Sequence, residues 1–409
     1  YTFNTNSTSA VWGVGTMANP IVLIGQNIYI GDNVELSINN DFLHLAQCNI
    51  MMGDNARISL QNDQFVEFRQ SNVFACLNMW DYIQANDPSE EIRALNSTFE
   101  DGIRGIFNQN CARLTLKENV FVNNWVGVTL QDCATQAPVE IYKRNVFTFN
   151  NPLPNPYLGV RSNAGILMNN MASVTIGNAF TGNAFHGYLN RFSATVYGII
   201  VEHSQYDIFG NEFVGFNRLK ESIAIKSTDN NTTLVNNLLV PKRIGRNNSL
   251  TDPNDPDTWR ILSNYFDTCN NAIELIHPNP SIPNTKTEVF MNSFQNSLSG
   301  IRVLEGSSNS WALNNIIDIT SNVFARVVNG IRCTETGVFS SPLYRISRNI
   351  MNSYNRGIFI ENSLAPRISG NKLIGNNPDA PFGIHFASCF SSAVTYNNVS
   401  GNFGPGNIE

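Results

Sequence analysis

The chain is predicted to be all-β and to fold as a parallel β-helix, a solenoid of stacked coils. Three patterns in its 409 residues carry that prediction. Two near-copies, GDNVELSINND from Gly31 and GDNARISLQND from Gly53, lie about one short structural repeat apart. A looser motif, Asn-x-large apolar, then recurs to the C-terminus. A small residue followed by a β-branched one trails most of these motifs, usually by about eight residues. Two markers in constant order mean a repeat rather than chance.

Taken in order, residues 1–20 precede the repeat and are expected to form an N-terminal arm or cap, and 21–409 one continuous solenoid. In the two opening copies Val34, Leu36 and Ile38 answer Ala56, Ile58 and Leu60, with the period-two alternation of strands. The looser motif starts at Asn96-Ser-Thr-Phe99, with one extra residue. It continues at Asn119, Asn145, Asn178, Asn211, Asn237, Asn264, Asn292, Asn322, Asn349, Asn371 and Asn397, at spacings of roughly 22 to 33 residues. The second marker is seen at Gly105-Ile106, Gly127-Val128, Ala272-Ile273, Gly300-Ile301, Gly330-Ile331, Gly357-Ile358 and Gly383-Ile384. Short alternating runs dense in Asn and Gly exclude a helical repeat. Coils of a β-helix stack about 4.8 Å apart, so like residues lie above one another. Asn suits such a column, because its amide can bond the next Asn and because it tolerates the left-handed turn conformation. Phe, Ile and Leu two residues later then point inward. Pro- and Asn-rich stretches near 150–164, 241–259 and 277–286 read as loops leaving the stack, either cleft walls or neutral insertions.

Composition narrows the function classes. Charged residues are 14% of the chain, against about 25% in ordinary soluble domains, and neutral amides and hydroxyls take their place. A net charge of -6 argues against nucleic acid as a partner. No apolar run reaches the length of about 18 residues that a spanning helix requires. Tyr1 is not a natural start, so any leader is expected to lie outside the sequence. The C-terminal NVSGNFGPGNIE is short for a cap, so the solenoid is expected to continue in a longer chain or to meet another subunit. Seven cysteines show no C-x-x-C pair, which makes zinc unexpected. Cys111 and Cys133 each follow a marker glycine by six residues and should be neighbours on adjacent coils. A disulfide and an unbonded stack are both compatible with that placement.

The Asn-x-Phe and Gly-Ile-x-Val rhythm resembles the right-handed parallel β-helix proteins of the pectate-lyase-like superfamily. The GDN turns followed by LNMWDYIQ at 77–84 are similar to secreted or surface β-helix repeat proteins of Bacteroidota. The resemblance implies a right-handed, single-stranded parallel β-helix over nearly the whole chain. Its members include lyases, hydrolases, tailspikes, adhesins and structural stalks, so it does not assign an activity. The paired aspartates, Gly-His-Gly and Arg-Ile-Lys of the pectin hydrolases are missing from this chain, as is the Arg-x-Pro-x-x-Arg of the pectate lyases.

Register supplies candidate site residues. In Gly-Ile-x-Val the x position points outward and reads Glu274, Arg302, Arg332, Phe359, His385 on successive coils. Arginines beside a carboxylate could bind a uronate or neutralise it during β-elimination; the competing reading is a surface salt-bridge ladder. Asp32 with Asp54, and Asp41 with Asp63, form stacked acidic pairs and are candidate calcium ligands, as is DPNDPD at 252–257. Asp is also an ordinary turn residue. His203 lies near Glu202 and Asp207 in a turn, His44 sits in an alternating strand, and His186 and His277 are isolated. The expectation is a secreted or cell-surface bacterial segment with a structural or adhesive role and a glycan or cell-surface ligand. It needs no cofactor beyond the candidate calcium. The alternatives are a polysaccharide lyase or glycoside hydrolase on acidic glycans, and a tailspike-like glycan binder.

Overall fold

The computed structural model describes residues 1–13, 15–16, 18–39, 42–61, 63–177, 189–216, 221–228, 242–244, 264–277, 286–305, 316–334, 343–352, 356–363, 365–375, 382–401 and 406–408. They form an all-β parallel solenoid of about 12 turns. Its contacts separate two units, the first holding the described residues up to 177 with 189–199, the second those from 200 onward. Each turn contributes one strand to each of three parallel sheets. In the first unit Thr98–Glu100 belongs to the first sheet, Gly102–Gln109 to the second and Arg113–Lys117 to the third. The chain then returns at Val120–Val122, directly over Thr98–Glu100. The second unit repeats the plan with Ser293–Gln295, Ser299–Glu305 and Ile316–Thr320, returning at Val323–Ala325 over Ser293–Gln295.

The first unit begins with two short strands, Thr2–Phe3 and Ser7–Thr8, that pair with Asn27–Ile30 and Glu35–Ile38. The 3-10 turn Ser9–Trp12 follows, and the Trp12 ring meets Tyr1 at 5.4 Å and Phe3 at 5.8 Å. Part of the expected arm is thus woven into the sheets as their outermost strands. Among the described residues no helix is long and apolar enough to cross a membrane.

The motif Asn-x-Phe builds two columns at once. The Phe rings lie face to face at the strand repeat: Phe99, Phe121, Phe147 and Phe192 are 5.0, 4.9 and 4.7 Å apart in the first unit. In the second, Phe213, Phe266, Phe294 and Phe324 follow at 4.9, 4.9 and 4.6 Å. Beside them runs a column of buried amides. Asn119 Nδ2 donates to Asn145 Oδ1 at 3.0 Å and to the Ala94 carbonyl at 2.8 Å, and Asn145 Nδ2 donates onward to Asn190 Oδ1 at 2.9 Å. Most of these Oδ1 atoms also accept a backbone N–H from the neighbouring turn, as Asn349 does from Asn322 at 3.0 Å. In the second unit Asn211, Asn264, Asn292, Asn322, Asn349, Asn371 and Asn397 are linked side chain to side chain.

Three rungs differ from the expected series. Asn96 is not one: Ser97, next in sequence, takes its place and donates its N–H to Asn119 Oδ1 at 2.9 Å. Below it Ser71 and Cys48 continue the column, each N–H donated to the next hydroxyl at 3.1 Å. Asn178 lies outside the described residues, and Asn145 instead bonds Asn190, whose Phe192 completes the ring stack. Asn237 also lies outside them, and Asn211 bonds directly to Asn264. Nor are the rungs the left-handed residues of the corner. That conformation falls one position earlier, at Gln47, Gln70, Asn96, Glu118, Arg144, Met291, Ser321, Arg348 and Tyr396. Such residues cost about 1–2 kcal/mol each outside Gly, so the corner is held by its column rather than by local preference.

The second marker has a steric cause. A Cβ on Gly127 would lie 2.7 Å from the Gly165 carbonyl oxygen and 2.9 Å from the Phe147 ring; on Gly300 it would lie 2.5 Å from the Phe324 ring. The glycine makes room for the aromatic column of the next turn. Cys111 and Cys133 form a disulfide with Cα atoms 4.7 Å apart, so the question left open by their spacing resolves to a bonded pair joining adjacent turns.

Asn145→Ala or Asn349→Ala strands buried donors and carbonyls and is expected to destabilise its unit by about 1–3 kcal/mol in chemical denaturation. Unchanged midpoints would show that these amides are solvated. Gly300→Ala is expected to lower stability by about 1–3 kcal/mol, because neither neighbouring backbone nor a packed ring can yield freely.

Candidate functional site

The second sheet of the second unit places the predicted outward row in register. Glu274 pairs with Arg302, Arg302 with Arg332, Arg332 with Phe359 and Phe359 with His385. Below Glu274 the pairing adds Lys226, which the sequence reading missed: its strand, Ile223–Thr228, carries the marker as Ala224-Ile225, but farther behind Asn211 than the usual distance of about eight residues. The inward neighbours Ile273, Ile301, Ile331, Ile358 and Ile384 are buried and fix which way the row faces.

The row divides chemically in two. Arg302 Nη1 lies 3.3 Å from Glu274 Oε2, with the carboxylate side chain 9% exposed and the arginine 37%. That pair is the ladder expected from a structural role. Arg332 is different. It is exposed, its Nε donates to Thr334 Oγ1 at 3.1 Å, and its guanidinium lies 5.5 Å over the Phe359 ring. Phe359 in turn lies parallel to the His385 ring at 5.1 Å. Among the described residues no carboxylate pairs with Arg332. The fork is held by one hydrogen bond and one ring, with its outer N–H groups available for a planar oxyanion.

The other predicted positions separate. Asp32 Oδ1 accepts the Asp54 N–H at 2.9 Å, and Asp54 accepts the Asn78 N–H at 3.2 Å and its side-chain amide at 2.6 Å. These carboxylates therefore stack as turn residues bonded from the coil above. Asp63 holds a left-handed turn, whereas Asp41, His186 and the 252–257 stretch lie outside the described residues. Among the described residues no group of three His, Cys, Asp or Glu side chains converges as a metal site would. His203 occupies a left-handed turn whose N–H donates to the Thr228 carbonyl at 3.2 Å, and Asp207 lies in the strand Tyr206–Ile208. His277 ends the strand Asn271–His277.

His44 is not solitary. On the third sheet of the first unit His44 pairs with Glu67, and Glu67 with Arg93. Glu67 faces outward between inward Val66 and Phe68, yet its side chain is only 2% exposed. His44 Nδ1 approaches it at 3.2 Å, Arg69 at 2.9 Å and Arg93 at 3.6 Å, while Arg93 also meets Glu91 at 2.8 Å and covers the Phe65 ring. A carboxylate so far from water requires such partners. The signal was present in the spacing of His44, Glu67 and Arg93, but it becomes visible only once the third sheet is aligned.

With the fold and these clusters in view, the protein is classed as a parallel β-solenoid. The chain matches no family model, no curated protein and no solved structure.

Glu67→Gln removes the charge that meets Arg69, Arg93 and the His44 imidazole, and is expected to lower stability by about 1–2 kcal/mol at neutral pH. Arg69→Ala, whose side chain is 57% exposed, should cost about 1 kcal/mol or less. Equal losses in the two variants would place the load on packing rather than on the carboxylate.

Proposed function

We propose that this chain is an extracellular structural and adhesive β-solenoid, part of a secreted or cell-surface bacterial protein, that touches acidic glycans through the Arg332 end of its outward row. One observation carries the reading: an exposed guanidinium, preorganised on Phe359 and Thr334, that no carboxylate among the described residues pairs with. A fork already fixed in place loses little freedom when it binds a carboxylate or sulfate. The Cys111–Cys133 disulfide supports an oxidising compartment. The sequence rhythm adds its similarity to right-handed pectate-lyase-like β-helices, within which structural and adhesive members occur beside enzymes. Against the enzymatic alternative stands the state of the carboxylate in the row. Glu274 is nearly buried and committed to Arg302, a poor arrangement for exchanging protons with a substrate.

Acidic oligosaccharide binding, beside melting curves, tests the proposal. Arg332→Ala is expected to weaken binding at least about tenfold with stability changed by about 1 kcal/mol or less. Arg302→Ala should act mainly on stability. Binding that survives Arg332→Ala would remove the row from the interface. Unsaturated uronate products released from a panel of acidic glycans, and lost in Arg302→Ala, would replace the adhesive reading with a lyase.

A further inference from the structure

In the first unit the segment 150–160 leaves the stack after the strand Val146–Thr148 and rejoins it before Ala164–Ile176. It is a folded excursion: Leu153 and Val160 bond across it at 3.0 Å, Gly159 donates to the Leu153 carbonyl at 3.0 Å, and Leu153 is fully buried. At its near end the Asn150 and Asn151 N–H groups donate to Asn123 Oδ1 at 2.9 and 3.1 Å. At its far end the Asn155 carbonyl accepts the Met79 N–H at 2.9 Å, and Asn155 Nδ2 donates to Asn78 Oδ1 at 3.2 Å. Tyr157 stacks on Trp125 with centroids 4.1 Å apart.

These anchors lie on different turns, and the turn between them carries Glu100 and Asp101. Trp80 pairs with Gly102, Arg104 pairs with Val126, and the Asp101 N–H donates to the Val122 carbonyl at 3.3 Å. The corner is linked to the segment through one amide: Asn123 Nδ2 lies 3.5 Å from Glu100 Oε1, while its Oδ1 receives the two N–H groups above. We propose that 150–160 is a pH-responsive strap, closed across this corner while Asp101 is protonated and loosened when Asp101 ionises beside Glu100.

The charges around the corner favour that coupling. Glu100 is the acidic neighbour on the same turn. The turn below offers Asn78 and Trp80, with Asp81 already paired to Arg57 at 3.0 Å, and the turn above offers Asn123 and Asn124. The strap brings Asn150, Asn151, Asn155 and Tyr157, and Arg161 beyond it lies over the Phe149 ring. Among the described residues no cation pairs with Glu100 or Asp101. Burial first, and the Glu100 charge second, push the Asp101 carboxyl from 3.8 up to about 6. The closed corner therefore holds a proton that an opened, solvated one releases. Closure is favoured in acid and is lost as pH rises through about 6. Opening frees one face of the Trp125 indole.

Amide hydrogen exchange on the full chain tests this, read as protection factors at pH 4.5 and 7.5 for Met79 and, as a reference for the stack, Phe121. The wild type is expected to lose protection at Met79 about tenfold or more at the higher pH, with Trp125 fluorescence changing in parallel and Phe121 unaffected. Asp101→Asn, a residue that accepts the same left-handed turn, should stay protected at both pH values. Glu100→Gln should move the transition to lower pH. The proposal is overturned if Met79 protection in the wild type does not change, or if Asp101→Asn shows the same loss.

Discussion

Everything in this protein depends on side-chain amides that cannot reach water. A solenoid corner brings backbone N–H and carbonyl groups to the edge of the core, and each needs a partner once buried. Here, on most turns, one Asn serves both the backbone of its neighbours and the next Asn, with no unmet group at rungs such as Asn145 and Asn349. Because a rung bonds the turn on either side, the column fixes the vertical register of the coils. The Phe column beside it then falls into face-to-face contact at the strand repeat, and the marker glycines follow from the room those rings need. One polar requirement thus accounts for both repeated motifs.

The same register governs the surface. Inward Ile residues at one position per turn oblige the next residue to face out, so unlike side chains are forced into a vertical row about 4.8 Å apart. Charges at that spacing interact whether or not they serve a ligand. Glu274 and Arg302 show the structural outcome, a shielded pair, and Glu67 with His44, Arg69 and Arg93 shows it more fully. Arg332 stands apart because its neighbour along the row is an aromatic ring rather than an acid. The distinction between a ladder and a recognition element therefore lies in which residue the stack places next.

Loops interrupt this economy in one place that the described residues show in full. The segment 150–160 returns to turns from which it is distant in sequence, and does so through Asn side chains again, at Asn78, Asn123 and Asn155. Its anchors are neutral amides on the turns that flank Glu100 and Asp101.

The solenoid and the outward row from Glu274 to His385 were legible in the chain, because stacking like on like writes the same residue types at each repeat; the division of each turn into three strands was not. Legibility failed where the repeat is broken or where another residue can do the same job. Ser97, Ser71 and Cys48 stand as rungs without being Asn, since a hydroxyl or a backbone N–H meets the same need, and the Asn96 beside Ser97 reads as a rung but is only the corner. Asn264 was legible as a rung, but not that Asn211 bonds it directly, and no count along the chain reveals that the column passes from Asn145 to Asn190. The bonded state of Cys111 and Cys133, the burial of Glu67 and the return of 150–160 to Asn78 and Asn123 were decided by tertiary structure alone. Each depends on which turns become neighbours and on how much water remains between them. A periodic sequence determines its own repeat; it does not encode the distance or the dielectric between residues that only folding brings together.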